Sequence, residues 1–104
     1  NLVVLVDYNK IQALSRLKDA LPLADLSTKF KAFNWDCIKA KDGHSFKSLI
    51  PPLKRKNRKR KPLAIIINTI KGKGIKEFED DPIWHARKLQ GKEIEIGKEK
   101  LGII

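Results

Sequence analysis

Cysteine and methionine are scarce in this chain of 104 residues. Methionine is absent, and the single cysteine is Cys37. One cysteine excludes a disulfide within the chain and a metal site built from several cysteines. Because no disulfide framework is possible, we expect a reducing, cytoplasmic location.

Long hydrophobic runs are also missing. The two longest are LVVLV at 2–6 and LAIII at 63–67, whereas a membrane-spanning helix needs about 20 apolar residues. No basic and then apolar leader opens the chain, so we expect no membrane segment. The sequence runs from Asn1 directly into an apolar segment, and we therefore expect a piece of a larger protein.

Positive charge is abundant but local. The net charge is +11, and the run at 54–61 (KRKNRKRK) carries seven of those units, so subtracting seven leaves +4 elsewhere. Such a run could bind nucleic acid through phosphates. It has no interleaved aromatic residue for base stacking and matches no nucleic-acid-binding motif. We therefore favour a solvated surface loop and keep nucleic-acid binding as an alternative.

The pattern along the chain alternates strands and helices. We predict a buried parallel strand at 2–6, an irregular segment at 9–21, a helix that begins near Pro22 and stops at Asn34, and a more exposed strand at 35–39. A second helix follows Phe46, and Pro51 and Pro52 should end or kink it. A third strand at 63–68, a loop at 69–74 and a last helix at 91–101 complete the order.

This alternation predicts an α/β domain, with a parallel sheet and flanking helices. Ligands of such sheets bind at the carboxyl ends of the strands. Two segments with suitable chemistry follow strands there, DYNKI at 7–11 and TIKGKG at 69–74.

Asn9 is the first candidate functional residue. Its amide oxygen is a hard ligand suited to Mg²⁺ or Ca²⁺, and the backbone carbonyl of Ile11, two residues later, could point at the same ion. The alternative is that Asn9 simply tolerates a turn conformation.

The loop with Gly72 and Gly74 is the second candidate. Glycines after a strand let backbone N–H groups approach an anion, and the intervening lysines favour phosphate. The Walker spacing is absent, and an ordinary glycine turn is the alternative.

The third candidate is His85, which could donate a hydrogen bond or move a proton. A structural role is the alternative for His85, and we predict one for His44, in a helix-capping turn.

Four segments together resemble a known family. They are VVLVDYNKIQ, PLADLSTKFKAFNWDCIKAKDGHSFKSL, LAIIINTIKGKGI and DDPIWHARK. In order and across nearly the whole chain, they are similar to the thiamine-diphosphate-binding domain of transketolases. The resemblance implies a dimeric parent enzyme that transfers a two-carbon ketol unit between sugar phosphates with thiamine diphosphate and Mg²⁺ or Ca²⁺.

The resemblance also implies roles for individual residues. Asn9 would bind the metal through its side chain and Ile11 through its carbonyl oxygen. The loop from Ile70 through Gly72 to Gly74 would lie against the cofactor. His85 would approach the diphosphate and the hydroxyl groups of the sugar.

The sequence departs from the family in what precedes Asn9. The family has a Gly-Asp-Gly segment about thirty residues before that position, and only eight residues are present here. The second domain, which supplies the glutamate that activates the cofactor, is missing too. We therefore predict that 1–104 is the C-terminal part of the domain, inactive alone and partnered by another subunit or by the remaining domains. A related enzyme of the deoxyxylulose-phosphate synthase type is the alternative.

Overall fold

The structure, a computed structural model, describes residues 2–55 and 60–103. Its elements, in chain order, are β1 (Val3–Tyr8), β2 (Ile11–Gln12), β3 (Ser15–Arg16), α1 (Leu17–Ala20), α2 (Leu26–Ala32), β4 (Asp36–Ala40), α3 (Phe46–Lys54), β5 (Leu63–Asn68) and α4 (Lys92–Lys100). Two 3₁₀ turns, Lys76–Phe78 and Pro82–His85, lie between β5 and α4.

Three of the strands form a parallel sheet with the order β1-β5-β4. Strand β5 lies in the centre, and it pairs with β1 on one side and with β4 on the other. The chain crosses from β1 to β4 by way of α2 and returns to β5 by way of α3. The predicted α/β class, with its parallel sheet and flanking helices, is confirmed.

The core is centred on β5 because this strand has neighbours on both sides. Its first four residues, Leu63 to Ile66, are each at most 3% exposed. Ala40 of β4 packs with Leu63 and Ile65, and Leu49 of α3 packs against this cluster. The boundaries predicted for this strand, 63–68, are those of the structure.

Helix α2 begins later than Pro22, at which the sequence pattern placed its start. Ala24 has a left-handed backbone (φ 50°), and Asp25 caps the helix by accepting the Ser27 N–H at 3.1 Å. The helix ends at Ala32, and Asn34 follows with φ 65°. The predicted stop at Asn34 is confirmed, since Asn tolerates a left-handed conformation that ends a helix.

Helix α3 contains both prolines that were expected to end it. Pro51 and Pro52 lie in its last turn, and the helix ends at Lys54. A proline this close to the end of a helix removes few hydrogen bonds, and Pro52 is buried. The helix continues for two residues beyond Pro52, so the predicted end at the prolines is wrong, and the other predicted effect, a kink, stays a prediction.

Strand β1 is parallel, as predicted, but it is not buried. Its side chains alternate in exposure, with Val3 at 49% and Leu5 at 54%. Strand β4 has Ala40 buried and three half-buried residues, so it is the less exposed of the two. The predicted ranking of these strands was wrong, because β1 forms an edge of the sheet.

Two further segments differ in detail from their predictions. The part of the chain at 9–21, predicted to be irregular, contains the β2–β3 hairpin and the single turn of α1. The last helix is confirmed, at Lys92–Lys100. In the part of the chain that the structure describes, none of the helices combines the length and apolar character needed to cross a membrane.

Candidate functional site

Asn9 follows β1 directly and forms a tight turn with Ile11. The Ile11 N–H donates a hydrogen bond to the Asn9 side-chain oxygen at 2.9 Å. Lys10, between them, has φ 63°, and its carbonyl oxygen accepts the Leu17 N–H at 2.9 Å. The amide oxygen of Asn9 therefore already has a structural role, and it keeps a second lone pair for another partner.

The loop after β5 is held close to the segment that follows it. Gly72 has φ 73°, and a Cβ atom there would collide with the backbone carbonyl of Phe78. Gly74 has φ 122° but faces open space. Close approach of backbones therefore requires glycine at position 72, whereas backbone conformation alone favours it at position 74.

One carboxylate already occupies the inside of this loop. Glu79 accepts the Gly74 N–H at 3.4 Å, and Lys73 Nζ lies 3.1 Å from the same carboxylate oxygen. The hydrogen bond from Lys73 holds the pKa of Glu79 below its ordinary value. One backbone N–H of the loop, that of Gly74, thus has a carboxylate partner within the chain, and binding of a phosphate by this loop stays a prediction.

The turn at Asn9 and the loop at Ile70–Gly74 lie at the same edge of the sheet. Tyr8 and Asn68, the last residues of β1 and β5, are register partners. Beyond them, the Thr69 N–H donates to the Tyr8 carbonyl at 3.4 Å, and the Thr69 hydroxyl donates to the Asp7 carboxylate. The expected location at the carboxyl ends of adjacent parallel strands is confirmed.

An arginine connects the two segments further out. Arg16, in β3, donates to the side chain and to the backbone carbonyl of Asp80, each at 2.6 Å. The Asp80 N–H in turn donates to the Lys71 carbonyl at 2.8 Å. The hairpin after Asn9 is therefore linked through Asp80 to Lys71, near the start of the glycine loop. The sequence did not predict this link, because the two residues are 64 positions apart and no local pattern joins them.

His44, in the turn after β4, also contacts the loop that follows β5. Its Nε2 accepts the Ile70 N–H at 2.8 Å. The sequence predicted a purely structural role in helix capping for this residue. The structure instead has its imidazole bonded to the first residue of the candidate cofactor loop.

His85 ends the second 3₁₀ turn and is exposed. Asp81 begins this turn and accepts the Ile83 N–H at 2.9 Å. Trp84 anchors it by packing against Phe78, with ring centroids 4.8 Å apart, and the Arg87 guanidinium carbon lies 4.3 Å from the centroid of the Trp84 ring. The imidazole of His85 is thus presented to solvent by a well-packed neighbour.

A cavity of about 660 Å³ opens beside this edge of the sheet. Its polar lining includes four cationic side chains, two acidic ones and the hydroxyl-bearing Tyr8 and Thr69; the charged residues are Lys10, Arg16, Lys18, Lys76, Glu79 and Asp80. Ile70 lines the cavity, whereas Asn9, Ile11, Gly72, Gly74 and His85 lie outside its lining. The excess of positive charge suits an anionic ligand.

The metal ligands predicted from the sequence form a partial set. Asn9 and Ile11 would provide two neutral oxygens, and Mg²⁺ requires near-octahedral coordination. Within residues 2–55 and 60–103, no group of three or more His, Cys, Asp or Glu side chains could hold a metal ion. The chemistry of these two oxygens fits Mg²⁺ or Ca²⁺, but most of the ligands would come from elsewhere.

The basic run lies between α3 and β5, and four of its residues, 56–59, are outside the described residues. At its start, Arg55 approaches the Asp36 carboxylate at 3.9 Å. The prediction that the run is a solvated surface loop falls mainly on these four residues and stays a prediction. Nucleic-acid binding by this run stays an untested alternative.

Comparison with known proteins relates the whole chain to the family that the sequence motifs resemble. The family model described as "Transketolase, thiamine diphosphate binding domain" matches residues 1–104. An apulose-4-phosphate transketolase subunit of Actinobacillus succinogenes is 34% identical over 101 residues, which cover 97% of this chain and 36% of that protein. The 6-deoxy-6-sulfo-D-fructose transketolase subunit SqwG of Clostridium sp. is 34% identical over 90 residues, 86% of this chain and 32% of that protein.

A longer relative matches equally well. The transketolase of Sinorhizobium medicae is 37% identical over 101 residues, 97% of this chain and 14% of that protein. The chain therefore spans about a third of the subunit-type relatives and a smaller share of this one. With a family match over its whole length, the chain belongs to the thiamine-diphosphate-binding domain family of transketolases.

Proposed function

We propose that residues 1–104 are the C-terminal part of a thiamine-diphosphate-binding domain whose enzyme transfers a two-carbon ketol unit between sugar phosphates. The observation that carries the proposal is the shared edge of the sheet, at which the turn of Asn9 and the loop of Ile70 follow adjacent parallel strands. Arg16 and Asp80 fix these two segments to each other. Together they could approach one diphosphate–metal unit from two sides.

In this proposal each segment has its own task. Asn9, through its amide oxygen, and Ile11, through its carbonyl, would bind Mg²⁺ or Ca²⁺. Ile70, Gly72 and Gly74 would contact the cofactor through the backbone, and His85 would hydrogen-bond the diphosphate and the sugar hydroxyl groups. When bound, thiamine diphosphate supplies the carbanion stabilisation that ketol transfer requires.

The cavity next to Ile70 supports an anionic sugar as the substrate. Lys10 and Lys18 line it, and no carboxylate within the described residues forms an ion pair with either of them. Two of the relatives carry names that specify sugars with an anionic group, apulose 4-phosphate and 6-deoxy-6-sulfo-D-fructose. A phosphate-bearing sugar would therefore suit both the family and this lining.

The 104-residue chain alone should have no ketol transferase activity. Two neutral oxygens provide too few ligands and no negative charge for a divalent ion, so cofactor binding by this chain should be weak or absent. The missing groups would come from the remaining domains or from a second subunit of a dimer. Ketol transfer by the isolated chain at ordinary enzyme rates would contradict this part of the proposal.

The test uses the full-length gene product and varies Asn9. Asn9→Ala removes the amide oxygen, which would serve both the turn and the metal, whereas Asn9→Asp keeps an oxygen for each. We expect Asn9→Ala to raise the Mg²⁺ concentration needed for half-maximal thiamine diphosphate binding by about tenfold or more, and Asn9→Asp to stay near the wild type. Calorimetric titration of the cofactor at several Mg²⁺ concentrations would measure this.

A purely structural role for Asn9 predicts a different result. The alanine variant would then lose thermal stability without any change in its dependence on Mg²⁺.

His85 is tested in the same full-length protein. His85→Ala should lower the rate of ketol transfer with little change in unfolding temperature, because the side chain is exposed. Product analysis with a ketose donor, or with pyruvate, separates transketolase from the deoxyxylulose-phosphate synthase alternative.

A further inference from the structure

We propose that His44 is a positioning residue for the cofactor, because it holds the backbone of Ile70 at the carboxyl end of β5. The proposal deepens the function above and rests on it, since it needs Ile70 to contact thiamine diphosphate. It assigns a role in ligand binding to a turn that the sequence pattern explained by helix capping alone.

The first argument concerns the N–H of Ile70. The parallel ladder between β1 and β5 ends at Tyr8 and Asn68, and the Thr69 N–H still reaches the Tyr8 carbonyl at 3.4 Å. The next N–H, that of Ile70, lies beyond this ladder. His44 Nε2 accepts it at 2.8 Å and so extends the hydrogen bonding of the strand by one residue.

The second argument concerns how closely the turn of His44 approaches β5. The Gly43 N–H donates to the Asn68 carbonyl at 2.7 Å. A Cβ atom at position 43 would lie 2.5 Å from methyl carbons of both Ile67 and Thr69. Only glycine fits this contact without a shift, so the turn has one position relative to the end of β5.

The third argument is that the turn is itself rigidly built. The His44 N–H donates to the Asp42 carboxylate at 2.9 Å, and the Asp42 N–H donates to the Ser48 hydroxyl, in α3, at 3.2 Å. These two hydrogen bonds hold the backbone of the turn from which the imidazole extends, and they link it to α3. A histidine whose backbone is held in this way can present Nε2 to the Ile70 N–H from a defined position.

The bond also fixes the chemical form of the ring. Because Nε2 accepts a hydrogen bond, the neutral imidazole carries its proton on Nδ1. All three parallel strands then contribute to one site, β1 through Asn9, β5 through Ile70 and β4 through His44. Ile70 would be presented to the cofactor in a fixed orientation before the cofactor binds, which lowers the entropic cost of binding.

The experiment compares three variants of the full-length gene product with the wild type. His44→Leu removes the acceptor and keeps the bulk of the side chain. His44→Gln restores an acceptor oxygen at about the same reach. Ser48→Ala is the matched control, since it removes a hydrogen bond of the same turn without touching the bond to Ile70.

Two quantities are measured for each protein, namely the Kd of thiamine diphosphate with Mg²⁺ and the hydrogen exchange of the Ile70 amide without cofactor. Loss of one hydrogen bond should raise the Kd of His44→Leu about threefold to tenfold and speed the exchange of this amide by a similar factor. The glutamine variant should recover most of both effects, and the serine variant, which keeps the imidazole acceptor, should show each of them to a clearly smaller extent than His44→Leu. Nitrogen NMR of the wild-type imidazole should give the signature of the Nδ1–H tautomer.

The possible failures are distinguishable. If the wild type binds thiamine diphosphate and His44→Leu binds it equally well, the role of His44 is overturned and the proposed function stands. The role of His44 is also overturned if glutamine fails to restore binding while the serine variant loses it, because the turn as a whole would then be responsible. If the wild type itself does not bind the cofactor, the proposed function fails, and the role of His44 fails with it.

Discussion

Strands β1 and β5 have similar sequences and very different surroundings. Strand β1 contains the apolar run VVLV and β5 the run LAIII, and their last residues, Tyr8 and Asn68, pair at the carboxyl end of the sheet. Strand β5 has a partner on both sides, and its first four residues are buried. Strand β1 has one partner, and Leu5 is 54% exposed although it pairs with Ile65, which is 1% exposed.

The difference extends to the segments that follow the strands. After β5, the backbone at Gly72 approaches Phe78 so closely that a Cβ atom does not fit. After β1, the chain forms a small hairpin in which Lys10 and Ala13 both have positive φ without being glycine. Thus the loop after the central strand is held by close backbone packing. The hairpin after the edge strand is held to the rest of the chain by the hydrogen bonds from Arg16 to Asp80.

The largest effect is expected from alanine at the paired positions of the two strands. Ile65→Ala would leave a cavity in the core and should lower the free energy of unfolding by about 2–5 kcal/mol. Leu5→Ala removes a side chain that is half in solvent and should cost roughly 1 kcal/mol or less. Urea unfolding of both variants, followed by circular dichroism, would measure the difference. Equal losses would mean that β1 is as buried as its sequence suggests.

A smaller effect is expected from the two glycines of the loop after β5. Gly72→Ala combines a left-handed backbone with a collision against the Phe78 carbonyl, and it should destabilise the loop by about 2–3 kcal/mol. Gly74→Ala is the matched control, because it has a positive φ but open space around it, and we expect a loss of about 1–2 kcal/mol. Thermal unfolding together with amide exchange at Phe78 would compare them. A larger loss at position 74 would contradict the close approach at position 72.

Some of this architecture could be predicted from the sequence. The bounds of β5 are correct because a β-branched run between a proline and a polar loop is a strong local signal. The stop of α2 at Asn34 is correct for the same reason, since one residue determines it locally. The carboxyl-edge location of the Asn9 turn and the Ile70 loop followed from the order of strands and helices.

The rest depends on contacts that no local pattern contains. The exposure of Leu5 depends on which strand lies at the edge of the sheet. An apolar run predicts a strand but does not indicate whether that strand is central or at the edge. The hydrogen bond from Ile70 to His44 joins residues 26 positions apart through packing of the turn on β5. Pro51 and Pro52 end a helix by propensity, but tertiary packing outweighed that preference here.

The smallest effect is expected from the ion pair between β4 and the start of α2, on the side of β5 opposite to β1. Strand β4, the second neighbour of β5, carries Lys39, whose Nζ lies 2.8 Å from the carboxylate of Asp25 at the start of α2. The hydrogen bond from Lys39 lowers the pKa of Asp25 from 3.8 to about 2, and that from the Thr28 hydroxyl adds to the shift. Both charged side chains are about half exposed, so solvent screens the pair and its contribution is small.

The pH dependence of this contribution has a definite sign. A carboxyl group whose pKa is lower in the folded protein stabilises it above the unfolded pKa, here 3.8, and loses that effect as the pH falls through about 2. Asn at position 25 can still cap α2, so Asp25→Asn should remove the ion pair alone. We expect a slightly lower urea midpoint for this variant at pH 7 and a clearly smaller difference near pH 2, where about half of the Asp25 carboxylate is protonated in the folded protein. The control is Asp19→Asn, which changes an exposed carboxylate of α1 and should leave the midpoint unchanged at both pH values. An effect of Asp25→Asn that does not depend on pH would show that helix capping is responsible and that the ion pair to β4 is not.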